Sequence, residues 1–328
     1  MSKSRMPLVF GAALALLQAL LIVAFAWAPT HTAPRDLPIG VAGPAPAAAQ
    51  LTEKLRAASP GAFEIKTYAD EAAATEAIED REVYGAIVVT AQGPRLLVAS
   101  ASGPAVSQLL TEAAGRLSGA APATPVTDVV AASPDDPRGG GFAAMILPLV
   151  MSGIAASALL AFQLSGTRAR LTALGVFAVG AGLASTLVSV TWLGLLPSSA
   201  FWQVAAVVAL VSFAVPSVIG GLGAAFGQAG FGAAAAVVFL IGNPFSAAAA
   251  APELLPEPWG AIGQFLPPGA AATLMRSAAY FDWAGAGRPL AVLAAFAVVG
   301  AGLVVFAGRR RPAAPERPAD DDVLVPAA

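Results

Sequence analysis

The chain has no cysteine and a single histidine, His31. Disulfides, thiol nucleophiles and cysteine-ligated metal sites are therefore excluded. Histidine-based acid–base catalysis would have to rest on one residue in a proline-rich linker. Charge is scarce as well: Asp, Glu, Lys and Arg make up 12% of the residues, against about 25% in a typical soluble domain. From Leu171 to Pro252 there is none at all. Also missing are the Gly-x-x-x-x-Gly-Lys-Ser/Thr loop that cradles nucleotide phosphates, the Gly-x-Ser-x-Gly elbow and the His-Glu-x-x-His zinc motif. The chain thus carries no P-loop motor of its own. It reads as a non-enzyme, with no catalytic, metal or cofactor-binding set and no nucleic-acid partner expected.

Apolar sequence dominates instead, at 57% of the residues. Six segments are long enough to cross a bilayer, which takes about 20 apolar residues: 7–28, 142–164, 171–194, 200–226, 231–250 and 289–308. No ionisable side chain falls inside them, which argues against a proton-coupled carrier. Lys3 and Arg5 precede the first, Arg168 and Arg170 fill the turn after the second, and Arg309, Arg310 and Arg311 follow the last. With six spans all three basic clusters fall on one side, which the positive-inside rule makes cytoplasmic. The expected protein is a multi-pass cell-membrane protein with both termini inside and residues 29–140 outside.

Its expected parts are an anchor helix over 1–28, an extracytoplasmic α/β domain and linker over 29–140, a five-helix membrane domain over 141–308 with an interfacial loop at 251–288, and a disordered cytoplasmic tail over 309–328. The first segment also fits a signal peptide, because Ala26-Trp27-Ala28 matches a small-x-small cleavage site after a basic start. Its apolar stretch exceeds the 7–15 residues of a usual signal core, which favours an uncleaved anchor.

Residues 37–118 carry alternating and helical periodicities in the order β-α-β-α-β-β-α. Leu37, Ile39 and Val41 alternate; Ala48, Leu51, Leu55 and Ala58 recur at helical spacing. Asp70 is a candidate N-cap, and Gln92-Gly93 marks a hairpin turn. A thioredoxin core shares this order, but without Cys-x-x-Cys redox work is ruled out, and element order alone assigns no function. Residues 29–140 hold 13 acidic and 8 basic side chains, which reads as a solvated surface. The Pro- and Gly-rich stretch 119–141 reads as a linker.

Within the apolar segments, Gly223 and Gly227 form a Gly-x-x-x-Gly pair suited to close helix packing or a dimer seam. Gln163, Gln203 and Gln228 read as solvated span-end residues, and Pro148 and Pro216 as kink sites. Arg168 and Arg170 are candidate contacts for a cytoplasmic partner. The loop 251–288 concentrates Trp259, Phe265, Tyr280, Phe281 and Trp283, residues that favour a membrane interface. Residues 270–281 are expected to form a short helix on the outer leaflet, Leu274 and Met275 inward and Arg276 outward. The loop serves as an interfacial anchor or as a lid.

The segments Gly242-Asn243-Pro244-Phe245-Ser246, Pro256-Glu257-Pro258-Trp259, Gly263-Gln264-Phe265-Leu266-Pro267-Pro268-Gly269 and Arg276-Ser277 resemble actinobacterial membrane proteins related to the YhgE/Pip group. The Tyr84–Val88 stretch and the anchor–domain–five-span layout are similar too. That resemblance implies a permease of the ABC type-2 exporter class, working as a homodimer or heterodimer in the lipid bilayer with a separate ATPase subunit. That class usually has a cytoplasmic helix between its second and third spans; here the connection is only Ser165 to Arg170. The leading expectation is an exporter subunit for a hydrophobic or amphipathic substrate. The alternative is a non-transporting envelope protein whose exported domain binds or scaffolds a cell-surface partner.

Overall fold

The computed structural model describes residues 6–118 and 124–310. The expectations for Lys3, Arg5, Arg311, the tail beyond and part of the 119–141 linker lie outside them.

The first element, α1 (Met6–Thr30), is apolar on every side and buries only Ala28. A helix without a polar stripe has no face suited to water. The chain then builds β1 (Leu37–Ala42), α2 (Ala45–Ala58), β2 (Phe63–Tyr68), α3 (Glu71–Glu79), β3 (Gly85–Thr90), β4 (Gly93–Val98), α4 (Pro104–Ser118) and β5 (Val126–Asp128). The sheet order is β2-β1-β3-β4-β5; β1 runs parallel to β2 and β3, β3 and β4 form an antiparallel hairpin, and β5 runs parallel to β4. The expected order is found, with one strand added: Val126–Asp128 pairs with Leu96–Val98 inside the stretch read as linker. Asp70 caps α3 by accepting the Ala73 amide at 2.9 Å. Strand alternation sorts side chains to two faces: Leu37, Ile39, Ile87, Leu96 and Val98 pack on one, Ala86, Val88 and Leu97 on the other.

The rest is a helical bundle: α5 (Gly140–Phe162), α6 (Thr167–Thr186), α7 (Phe201–Ala236), α8 (Trp259–Gln264), α9 (Pro267–Tyr280) and α10 (Gly287–Arg310). π-helical turns, Leu187–Trp192 and Val237–Gly242, extend α6 and α7. Among the described residues, five helical stretches are long and apolar enough to cross a membrane: Met6–Thr30, Gly140–Phe162, Thr167–Trp192, Ser198–Gly242 and Gly287–Arg309. They mark a membrane-embedded chain.

The fourth stretch is not one rod. Gly227 has φ 69° and ψ −153°, outside helical space. A Cβ on Gly223 would lie 3.1 Å from the Phe231 Cβ, and one on Gly230 would lie 2.8 Å from the Phe226 Cβ. Residues eight apart in a straight helix are about 12 Å apart, so the chain reverses at Gly227 and its two arms run antiparallel. The second arm ends at Gly242 rather than continuing to 250.

The first arm of α7 is the bundle's centre and packs against α5, α6 and α10. Small residues allow this: a Cβ on Gly182 of α6 would lie 2.7 Å from the Ala205 carbonyl oxygen, and one on Gly153 of α5 would lie 2.8 Å from Val215. The helices continue through Pro148 and Pro216.

The bundle has two distinct ends. At one, Gly308 of α10 abuts Thr167 of α6, which gathers Arg168, Arg170 and Arg309 there. The α/β domain sits at the other. Asp136 caps α5 there by accepting the Gly141 and Phe142 amides at 3.1 and 2.7 Å. The 250–286 segment clamps the domain to the bundle. The Ala33 and Arg35 amides donate to the Leu254 and Glu253 carbonyls at 2.9 and 3.0 Å. Ala251 and Leu254 complete one core of the sheet, and Phe281 completes the other.

The expected interfacial helix is corrected. α9 is buried along nearly its whole length, against α7 and α10, and Arg276 points inward at 4% exposure. Its run of Pro, Gly, Ala and Ser is small enough to enter the bundle, and the guanidinium finds carbonyl partners there.

Candidate functional site

Where domain, clamp and bundle meet there is a polar cavity of about 370 Å³. Arg35 reaches it from the α1–β1 linker, Arg81 from the turn after α3, and Tyr84 from just before β3. Glu253 and Glu257 come from the clamp, Gln264 from α8, Thr273 and Arg276 from α9, and Arg288 from the first turn of α10.

Neutral groups hold the arginines. Arg81, itself in the left-handed region at φ 59°, donates through Nη1 to the Thr273 carbonyl at 3.2 Å and to the Ser277 hydroxyl at 2.6 Å, and lies over the Phe281 ring at 5.1 Å. Arg276 donates to the Ala247 carbonyl at 3.3 Å and to the Ala248 carbonyl, and lies over Phe142 at 4.8 Å. Arg35 donates to the Ala33 and Leu254 carbonyls, both at 3.0 Å, and to the His31 carbonyl at 3.2 Å. Arg288 rests on Phe265 at 4.5 Å. Among the described residues, none of the four forms an ion pair within 4.0 Å. Glu253 instead accepts from the Tyr84 hydroxyl at 2.9 Å.

Burial and the nearby Arg81 charge lower the Arg276 guanidinium to about 10, so it remains charged at neutral pH. Burial also lowers Arg81, opposed by Tyr84 and Glu253. Tyr84 is pushed up by burial and then by the Glu253 carboxylate, which keeps it a hydrogen-bond donor. Four cationic groups therefore face two carboxylates in a wall otherwise made of dipoles and rings. The cavity is basic although residues 29–140 are acidic overall.

An apolar groove of about 540 Å³ lies behind the same wall. Leu20, Val23, Ala24 and Trp27 of α1 form one side; Ala236, Val237, Leu240 and Ile241 form the other. Phe245 and Trp259 close its end, stacked at 4.6 Å, with Trp27 edge-on to Phe245 at 6.1 Å. Trp259 lines the groove, while its neighbours Pro258 and Gly260 line the cavity.

The residues quoted for the family resemblance do converge here. Gly242 abuts Pro268 at 3.0 Å from its Cβ position. A Cβ on Gly263 would overlap the Phe245 carbonyl, and one on Gly269 would overlap the Gly263 carbonyl. Pro267, Pro268 and Gly269 form the buried start of α9; Asn243 and Pro244 make the turn out of the second α7 arm, the Asn243 carbonyl accepting the Ser246 hydroxyl at 2.8 Å. Pro258 and Arg276 line the cavity.

Other sequence-based candidates fall elsewhere. Arg168 is exposed, but Arg170 is buried and donates to the Leu164 and Ala161 carbonyls at 3.0 and 3.2 Å, capping the end of α5. Gly223 packs inside the bundle against Ala161 and Phe231, and Gly227 is the exposed reversal point. His31 bonds the Trp27 carbonyl through Nδ1 at 2.8 Å. The loop aromatics divide: Trp259 joins the groove, Phe281 the domain core, Tyr280 donates to the Leu195 carbonyl at 3.1 Å, and Phe265 and Trp283 remain exposed. Arg35, Arg81, Glu253 and Arg288 were not singled out by sequence. The one local signal was Arg276, an isolated charge among small residues. No family model, curated protein or solved structure matches the chain.

Proposed function

We propose that the protein is a permease-like membrane subunit that handles a hydrophobic or amphipathic substrate at the outer face of the cell membrane. One observation carries this reading: a polar cavity and an apolar groove share a wall at the domain end of the bundle. An amphipathic molecule needs both environments at once. Counting the two arms of Ser198–Gly242 separately gives six passes. The end bearing Arg168, Arg170 and Arg309 is then cytoplasmic, and the α/β domain is outside. Movement of substrate is assigned to a dimeric assembly with a separate ATP-hydrolysing subunit, as the sequence resemblance implies.

A second reading, a non-transporting envelope protein, is favoured by the cytoplasmic end. The α5–α6 connection is a short turn, and Arg170 is used internally as a cap. Native-membrane purification in mild detergent, followed by mass spectrometry, separates the two. A stoichiometric ATPase and ATP-dependent efflux from reconstituted vesicles are expected. Recovery of envelope proteins alone, or efflux indifferent to ATP, overturns the exporter reading in favour of the second.

A further inference from the structure

We propose that the cavity and groove together form a binding site for a phosphate-bearing anionic lipid, its headgroup among the arginines and an acyl chain along α1. The proposal deepens the substrate-handling reading above and rests on it for the side of the membrane concerned.

The charge argument comes first. Arg35, Arg81, Arg276 and Arg288 converge on one cavity, and among the described residues no carboxylate pairs with any of them. Their partners are carbonyls, a hydroxyl and aromatic faces, which orient a guanidinium without neutralising it. Guanidinium groups hold phosphate oxygens through paired, charge-assisted hydrogen bonds. The first turn of the 24-residue α10 also lines the cavity, and a helix N-terminus adds partial positive charge. Of the two carboxylates, Glu253 is occupied by the Tyr84 hydroxyl, which donates to it at 2.9 Å. That contact reduces the repulsion an incoming anion would meet.

The shape argument selects a lipid over a free anion. A soluble phosphate has no use for the adjoining apolar groove, whose walls are Leu, Val, Ile, Ala, Phe and Trp side chains. Leu20 and Val23 remain about half exposed, at 51% and 59%, so the groove opens where hydrocarbon lies beside α1. The π-helical turn Val237–Gly242 forms part of its opposite wall; such turns recur at functional sites. One stretch of chain borders both compartments: Trp259 faces the groove, and the residues flanking it face the cavity. Trp27 and Trp259 line the groove, and indole rings favour the boundary between headgroup and hydrocarbon. A chain entering beside α1 therefore brings its headgroup to the Pro258–Gly260 wall of the arginine cavity.

The test uses the full-length protein, delipidated in mild detergent and given phosphatidylglycerol, phosphatidylcholine or inorganic phosphate, with bound lipid counted by native mass spectrometry. Phosphatidylglycerol is expected to bind at least about tenfold more tightly than phosphatidylcholine, and Arg288→Gln to remove most of that preference. Arg288 is exposed and lies against the Phe265 ring, so its replacement is expected to leave the fold intact. Ala24→Trp and Leu240→Trp, filling the groove from opposite sides, are each expected to weaken phosphatidylglycerol binding by a similar factor. Thermal melting identifies which groove variant is folded. Equal binding of the two lipids, an unchanged preference in Arg288→Gln, or full phosphatidylglycerol binding in a folded groove variant overturns the proposal. Inorganic phosphate that displaces the lipid only from the arginine side supports it; phosphate binding without any lipid preference overturns it in favour of a soluble anion. Binding is read without transport, so lipid binding with no ATP-driven efflux defeats the exporter reading alone. Efflux without lipid preference defeats the lipid site alone.

Discussion

At the scale of single residues, the tyrosines report how the domain is held. All three are raised above the usual value near 10: Tyr84 by burial and then Glu253, Tyr68 by burial and then Glu82, Tyr280 chiefly by burial. Below pH 10 folded and unfolded chains both keep these protons, so the shifts contribute nothing to pH dependence. Above it the unfolded chain releases them first and binds fewer protons than the folded one, so stability falls as pH rises. In an alkaline titration the phenolate absorbance is expected to lag behind that of free tyrosine, and the share from buried Tyr84 to rise together with loss of far-ultraviolet circular dichroism. Reversible ionisation of all three near pH 10 with the fold intact would contradict the burial of Tyr84. Arg276 makes the same point through geometry: its charge is tolerated inside a helix of small residues because the Ala247 and Ala248 carbonyls turn toward it.

Among elements, the reversal at Gly227 controls how α7 is used. Its φ of 69° with ψ of −153° belongs to a region open essentially to glycine alone. Gly232, on the returning arm, has nothing within 4 Å of its Cβ position. Gly227→Ala is expected to cost about 1–3 kcal/mol, whereas Gly232→Ala is expected to be neutral or stabilising by up to about 1 kcal/mol. Thermal unfolding of both variants in the same detergent makes the comparison. Similar melting temperatures would mean that the chain does not turn at Gly227. The apolar run 200–250 was legible as too long for one pass, and glycine near 227 marked the break. The exit at Gly242 was legible in Asn243-Pro244, since proline cannot continue the helix, but the apolar Ala run beyond it extended the expected span to 250.

Across the whole molecule, the absence of cysteine makes topology directly measurable. Gln92 at the hairpin and Ser165 between α5 and α6 are both exposed and lie at opposite ends of the fold. In intact cells, Gln92→Cys is expected to react with a membrane-impermeant maleimide, and Ser165→Cys to react only after permeabilisation. Labelling of both from the same side would overturn the six-pass arrangement. The clamp carries a further consequence at this scale. Leu254 and Phe281 complete the two cores of the sheet, so the α/β domain and the bundle are packed as neighbours with shared apolar surface rather than tethered by a free linker.

By itself the sequence determined the membrane character, the order of strands and helices and the segregation of basic residues, because each is a local property of composition or period. It also drew out the Gly- and Pro-rich stretch 242–269 and Arg276 through the family resemblance, though it read Arg276 as facing outward. The direction of Arg276, the capping role of Arg170 and the burial of α9 depended on which carbonyls and small residues came within reach after folding. The cavity was beyond reading along the chain for the same reason. Arg35, Arg81, Arg276 and Arg288 belong to a linker, a turn and two separate helices, and only tertiary packing brings their charges to one place.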